Sequence, residues 1–380
     1  MPATPAQGHV VVAPDKFKGT LEGAEVAAHL AAGIRRAAPG VEIRELPVAD
    51  GGEGTLAAAL AAGFTRVAAK VAGPTGLPVD AAIALRGDIA VVELAQSSGL
   101  ARLPGGRTAP LGAGSYGVGQ LIARAAGLGA KRIVLGLGGS ACTDGGAGMV
   151  QALGVGLYDA DGTELPPGGA ALRRLDRIDL GSLADGLAGV EVVVACDVDN
   201  PLLGARGATA VYGPQKGADA DDLVILEEGL TRFADVVREA TGQDFRDAPG
   251  AGAAGGVGFA ALALLGATMR PGIELLLELL GFDEAVRGAR LVVTGEGCLD
   301  AQTLHGKAPA GVAAAATRAG VRVAAVAGRL ELSEDQWRAA GFVAAYALTD
   351  LAEEPGDSMT KAAELAEVAG ERLAAELLAG

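Results

Sequence analysis

Aromatic side chains make up 3% of the 380 residues, and cysteine and histidine occur three times each. Half the residues are hydrophobic, so with so few rings the core must be built from Ala, Val, Leu and Ile. The cysteines, Cys142, Cys196 and Cys298, lie far apart and form no CxxC pair. That argues against a zinc ribbon or a disulfide framework and fits reduced thiols in a cytoplasmic protein. No apolar run is long enough to span a bilayer; the longest, Gly258 to Met269, ends at Arg270. No basic residue precedes the apolar stretch within Met1 to Val12, so no signal peptide is expected. Positive charge is also short. The formal net charge is −15, which disfavours nucleic acid and anionic membranes as partners while leaving room for a local anion site.

Familiar catalytic sets are missing as well. There is no GxSxG, and Gly306-Lys307 is not a P-loop, because Ala308 follows it and Ala301 stands where the first glycine belongs. His9 and His29 read as structural; His305, in a glycine-rich loop, is a minor site candidate.

What the chain does have is glycine, 60 residues of it, clustered in short loops between apolar runs rather than repeating every third position. Its length suggests two domains of the usual ~100–200 residues. Short apolar runs read as strands at 9–13, 41–48, 89–94, 132–135, 190–195, 291–294 and 321–327. Longer Ala/Leu-rich runs read as helices at 21–38, 55–62, 114–126, 221–241, 258–265, 308–319 and 359–378, with Thr20 as the expected N-cap of the first. Segments 100–110 and 160–169 read as loops. Strands alternating with helices of this length predict parallel βαβ units and an α/β fold.

In such folds ligands bind beyond the carboxyl ends of the strands. Five strand ends here carry acids, mostly with glycines. They are Asp15 to Gly19, Asp50 to Thr55, Gly136 to Gly146, Cys196 to Pro201 and Gly295 to Lys307. Glycine lets backbone N–H groups approach a phosphate, and carboxylates beside phosphate imply a bridging cation. Lysine numbers 7 against 24 arginines, yet Lys16, Lys18, Lys216 and Lys307 all fall in these or the similar segment Tyr212 to Gly217. A compact ammonium suits a phosphate oxygen. A rival reading exists. Gly136 to Ala141 fits GxGxxA after a strand, and Asp161 lies 20 residues on, a weak dinucleotide fingerprint. Against it, the helix that follows is short, about Gly145 to Leu153, and Thr143-Asp144 puts an acid where a pyrophosphate would lie.

Seven segments together resemble the bacterial glycerate kinase family, the type that makes 2-phosphoglycerate. They are APDKFKGTL, PVADGGEGT, GLGGSACTDGGAGM, ACDVDNPLLGARGAT, VYGPQKGA, AGGVGFAAL and TGEGCLDAQTLHGKAP, in the family's order from Ala13 to Pro309. Lys16, Cys298 and Cys142 depart from the usual pattern, in which a serine, a basic residue and a threonine or similar small residue are common. The resemblance implies two α/β domains. A flavodoxin-like outer domain (1–74 plus 286–380) is interrupted by a mixed α/β domain (75–285), with the active site in the cleft between them. It implies ATP with Mg2+, D-glycerate as acceptor, no nucleic acid and no membrane partner, and sets no oligomeric state.

On that basis the expected roles follow. Gly138, Gly139, Ser140, Lys216, Glu296, Asp300, Gln302 and Lys307 serve the nucleotide and its phosphates. Asp15, Lys18, Asp50, Glu53 and Arg206 serve glycerate. Asp197 and Lys18 are the catalytic candidates, and Asp197 and Asp199 the magnesium ligands. Transfer to the 3-hydroxyl, an NAD-dependent hydroxy-acid dehydrogenase and a non-enzymatic ligand sensor are the alternatives.

Overall fold

A computed structural model describes residues 8–181, 183, 187–354 and 356–379. The leader reading for residues 1–7 and the side chain of His305 lie outside the described residues. Along the chain come β1 (His9–Val12) and β2 (Ile43–Glu45). There follow β3 (Thr65–Ala72), β4 (Pro78–Arg86), β5 (Ile89–Glu93), β6 (Arg132–Gly136), β7 (Gly156–Tyr158), β8 (Arg177–Asp179), β9 (Glu191–Ala195) and β10 (Thr268–Arg270). The last are β11 (Ala289–Leu299), β12 (Val323–Leu330) and β13 (Phe342–Ala347). The chain divides into two compact units, one of Met1–Asp50, Ala57–Gly63 and Ile273–Gly380, the other of Gly51–Leu56 and Phe64–Gly272.

The first unit is an all-parallel five-stranded sheet in the order β13-β12-β11-β1-β2. Numbered within the unit this is 2-1-3-4-5, the flavodoxin-like order, whose switch point falls between β1 and β11. β1 and the middles of β11 and β12 are buried on both faces, which is why they read as near-continuous apolar runs rather than as alternation. Val11, Val292 and Ala325 face the helices Gly272–Leu280 and Ala308–Arg318. Val10, Val12, Leu291 and Val293 face the helices Gly23–Ala37 and Ala362–Leu377. The last two helices touch through glycine: a Cβ on Gly33 would lie 1.9 Å from the Glu367 carbonyl oxygen. The first helix starts later than expected. Glu22 is the N-cap, its N–H donating to Glu25 Oε2 at 2.9 Å, whereas the Thr20 hydroxyl turns back to the Phe17 carbonyl at 2.8 Å. The C-terminal helix is two helices, Asp357–Thr360 and Ala362–Leu377, with Lys361 out of helical conformation between them.

The second unit is a mixed six-stranded sheet, β10-β9-β6-β5-β4-β3, in which β5, β6, β9 and β10 are parallel and β3–β4–β5 antiparallel. A small antiparallel pair, β7–β8, stands apart. The core is one cluster of Val, Leu, Ile and Ala around the edge-to-face pair Phe233 and Phe259, 5.7 Å between centroids. Among the described residues no helix is long and apolar enough to cross a membrane.

Candidate functional site

In the first unit the loops at the β1/β11 switch point hold Asp15, Lys18, Glu296, Asp300, Gln302 and Lys307. Asp15 follows β1, its N–H donating to the Gly295 carbonyl at 2.8 Å, so the loop after β1 is stitched to β11. Gly295 and Gly297 are there for the neighbouring backbone. A Cβ on Gly295 would fall 1.9 Å from the Val326 carbonyl oxygen, and one on Gly297 3.0 Å from the Lys18 nitrogen. Lys18 stands exposed on the turn that Phe17, buried, closes by accepting from Thr20 and Leu21.

Glu296, 9% exposed, accepts the Thr303 hydroxyl at 2.5 Å. Asp300 folds its own loop, accepting the N–H groups of Gln302 at 2.8 Å and Thr303 at 3.2 Å. Gln302 itself is exposed. Lys307 is the N-cap residue of the helix Ala308–Arg318, and its ammonium lies 3.8 Å from both Glu296 Oε2 and Asp300 Oδ1. The result is an ammonium at a positive helix end, flanked by two carboxylates that it meets at ion-pair rather than hydrogen-bond distance. Burial pushes the Glu296 carboxyl up, while Thr303 and Lys307 pull it down.

Asp15 is shifted further. Desolvation first, then the neighbouring charge of Asp50 and, more weakly, that of Glu296, push it up to about 8. The Lys16 N–H, 2.7 Å from Oδ1, opposes the shift. A carboxyl raised in the folded state costs stability once the unfolded chain ionises. The cost therefore sets in as pH rises past the ordinary Asp value of 3.8 and is complete above about 8. We expect Asp15→Asn to melt progressively higher than the parent between pH 4 and 8, with the difference level beyond; a pH-independent difference in Tm would refute the shift.

In the second unit Gly51–Leu56 crosses the carboxyl ends of β6 and β9, and glycine is what permits the crossing. Gly51 has φ +91°, and its Cβ would lie 2.8 Å from that of Ala195. A Cβ on Gly136 would come 2.7 Å from the Gly51 carbonyl oxygen, and one on Gly138 2.3 Å from Gly52 Cα. Glu53 lies beside Gly139, whose φ is +73°. Leu56 N–H is held by the buried Glu93 carboxylate at 2.8 Å. Ser140 is 8% exposed, on a stretch pinned from both sides: Leu100 N–H donates to the Gly139 carbonyl at 2.9 Å and Ala141 N–H to the Ser98 carbonyl at 2.8 Å.

Asp144 is wholly buried and turns inward. It accepts Ser115 N–H at 2.8 Å, the Ser115 hydroxyl at 2.8 Å, Gly148 N–H at 3.1 Å and Gly146 N–H at 3.2 Å. The amides that open the helix Ala147–Ala152 are thus already taken by a carboxylate, and that helix has six residues. A dinucleotide pyrophosphate needs those amides and a full crossover helix, so the GxGxxA match is a turn rather than a Rossmann site. Lys216, expected at the phosphates, is 2% exposed and donates its ammonium to the Cys142 carbonyl at 2.5 Å.

The loop after β9 is open. Asp197 is exposed and accepts Gly272 N–H at 2.7 Å. Asp199 and Arg206, also exposed, pair with each other at 3.0 and 3.1 Å, and Asn200 ties the loop by donating to the Arg206 carbonyl at 2.8 Å. Two carboxylates two residues apart on one exposed loop are hard oxygen donors of the kind Mg2+ takes alongside water and phosphate. A second group that sequence reading passed over is Cys298, Asp300 and Glu331, whose potential ligand atoms all lie within 4.8 Å of one another. There the Arg329 guanidinium already sits 2.7 Å from Glu331 Oε1 and 3.8 Å from Cys298 Sγ, so the acids have a cation.

The glycerate kinase family model matches residues 10–378. The chain is 44% identical over 371 residues to the glycerate kinase of Bacillus subtilis strain 168, covering 97% of each chain. It is 45% identical over 325 residues to the glycerate 2-kinase of Escherichia coli K12, covering 84% of this chain and 85% of that one. A crystal structure from Salmonella typhimurium LT2, provisionally named glycerate kinase 2, superposes with a TM-score of 0.86 at 40% identity, covering 98% of this chain and 99% of the other.

Proposed function

Because the chain belongs to the glycerate kinase family, we propose that it transfers the γ-phosphoryl group of Mg-ATP to the 2-hydroxyl of D-glycerate, giving 2-phosphoglycerate, in the cytoplasm. The observation that carries this reading is Lys307. An ammonium at a helix N-terminus, 3.8 Å from Glu296 and from Asp300, is an arrangement suited to a phosphate that arrives with a cation. Phosphoryl transfer asks a protein mainly for in-line positioning and charge neutralisation.

In this reading Lys307 and the backbone of Gly138, Gly139 and Ser140 take phosphate oxygens, with Glu296, Asp300 and Gln302 shaping the loop around Lys307. Lys18 and Arg206 meet the glycerate carboxylate, and Lys18 also offsets charge during transfer; Asp15, Asp50 and Glu53 border the acceptor. Asp197 accepts the hydroxyl proton or, with Asp199, holds magnesium. When bound, the ion neutralises charge on the transferring phosphoryl group. Asp199 must first release Arg206, and an ion pair this exposed is worth only about 0–1 kcal/mol.

The test is ADP release from Mg-ATP with D-glycerate, coupled to enolase without a phosphoglycerate mutase. Enolase uses the 2-phosphate and not the 3-phosphate. Signal in both channels is expected. ADP alone would move the transfer to the 3-hydroxyl, and no glycerate-dependent ADP would reject the activity and turn the search to other hydroxy acids and then to NAD binding. In the same assay Asp197→Asn should lower kcat about 100-fold or more, the usual cost of losing a general base. Its Tm should hold, because an Asn oxygen can still accept the Gly272 N–H. Near-normal turnover would remove Asp197 from the mechanism.

A further inference from the structure

Lys216 is one of 7 lysines, and it is the one the fold hides: 2% exposed, beneath the stretch that follows β6. Its ammonium donates to the Cys142 carbonyl at 2.5 Å. Its surroundings are strained and tightly filled. Ala254, Gly255 and Gly256 are consecutive left-handed residues, and Ala254, at φ +54°, is the one non-glycine with positive φ among the described residues. A Cβ on Gly255 would lie 2.1 Å from that same Cys142 oxygen, and Gly145 N–H donates to the Gly255 carbonyl at 2.9 Å. The Cys142 carbonyl therefore sits between a backbone that cannot give way and a buried cation.

The stretch from Gly138 to Asp144 is tied down along its length, beginning with the Gly138 N–H, which donates to the Gly51 carbonyl at 3.3 Å. The Gly139 carbonyl is held by Leu100, the Ala141 N–H by Ser98, the Cys142 carbonyl by Lys216, and the Asp144 carboxylate by Ser115, Gly146 and Gly148. Two of these ties involve a buried charged group, the Asp144 carboxylate and the Lys216 ammonium, and a desolvated ammonium is costly to place. Burial indeed pulls the Lys216 ammonium down, and the nearby Cys142 and Asp144 hold it up.

We infer that Lys216 is a positioning residue for the nucleotide: it holds the Cys142 carbonyl inward and so sets the backbone of Gly138–Ser140 that receives phosphate, without touching the nucleotide itself. The inference rests on the assignment of Gly138–Ser140 to phosphate made above. It differs from direct phosphate contact by Lys216 in predicting that a neutral hydrogen-bond donor restores part of the function.

The test compares the parent, Lys216→Met and Lys216→Gln in the full chain, by calorimetric binding of Mg-ADP, KM for D-glycerate and thermal melting. Methionine fills similar volume with no donor; glutamine supplies a neutral one. Lys216→Met should weaken Mg-ADP binding about 10- to 100-fold, the range a charge-assisted hydrogen bond spans, with KM for glycerate within about twofold. Lys216→Gln should recover part of that loss. Mg-ADP binding by folded Lys216→Met equal to the parent's would overturn the inference. So would equal losses for nucleotide and glycerate, which mark general loosening. If methionine prevents folding, a folded Lys216→Gln that binds Mg-ADP more weakly than the parent while its KM for glycerate holds supports the inference, and one that binds Mg-ADP as the parent does overturns it. Failure of the unaltered chain to bind Mg-ADP would instead reject the phosphate assignment, and this inference with it.

Discussion

Replacing Lys307 by methionine is expected to lower kcat/KM for Mg-ATP about 100- to 1,000-fold at neutral pH, the usual cost of one electrostatic contact to a reacting group, while leaving the melting temperature within a few degrees. The two halves of this expectation have separate grounds. Stability changes little because the Lys307 side chain is 32% exposed and its ammonium lies 3.8 Å from each of its carboxylates, and ion pairs of that kind contribute about 0–1 kcal/mol. Activity changes greatly because the same ammonium is the cation at the start of the helix Ala308–Arg318. Methionine also removes the charge that pulls the Glu296 carboxyl down, leaving the Thr303 hydroxyl alone against burial, Asp300 and Asp50. The residual activity of the variant should therefore rise with pH over a range where the parent's is flat, as Glu296 regains its charge. Rates and melts across pH check both halves. A kcat/KM within threefold of the parent's would take Lys307 out of the phosphate site.

The first unit was largely legible in the sequence, and the reason is its chemistry. Parallel strands buried on both faces are written as unbroken runs such as HVVV and RLVVT, with acids and glycines at their carboxyl ends. What stayed hidden was whatever lacked that signature. The hairpin β3–β4 carries Arg66 and Lys70 on its exposed face, and β13, FVAAYA, is half exposed. The turn Gly73 to Leu77, in which Gly73 N–H donates to the Leu77 carbonyl at 2.7 Å, was the available signal for the hairpin.

The candidate residues divide in the same way. Spacing placed Asp15, Asp50, Glu296, Asp300 and Lys307 on one set of loops, because strand ends in a parallel sheet face the same side. Spacing carries no sign of which way a side chain turns. Asp144 and Lys216 sit in motifs as polar as the others, yet both point into the protein, and the missing side chains of Gly136, Gly138 and Gly295 make room for neighbouring backbone.

That inward turn of Asp144 yields the other large effect. Asp144→Ala is expected to cost on the order of 3–5 kcal/mol, the range for removing one member of a buried charged network. Three backbone N–H groups, of Ser115, Gly146 and Gly148, and the Ser115 hydroxyl lose their acceptor in a place without solvent. Each buried donor left unpaired costs about 1–3 kcal/mol, and water entering the vacated space offsets part of the sum. The Ser115 hydroxyl also accepts Met149 N–H at 2.9 Å, so its orientation, and with it the start of the helix Ala147–Ala152, is fixed through the same carboxylate. Lys216 loses a nearby negative charge, which should pull its ammonium down further. At about 2–4 °C per kcal/mol for a unit of this size, the melting temperature should fall by roughly 6–20 °C. Asp144→Asn should fall less, since its amide keeps one acceptor oxygen, but it cannot reach the parent, because its NH2 faces donors. Thermal melting of the three proteins decides the matter, and an Asp144→Ala that melts with the parent would mean these amides find partners elsewhere.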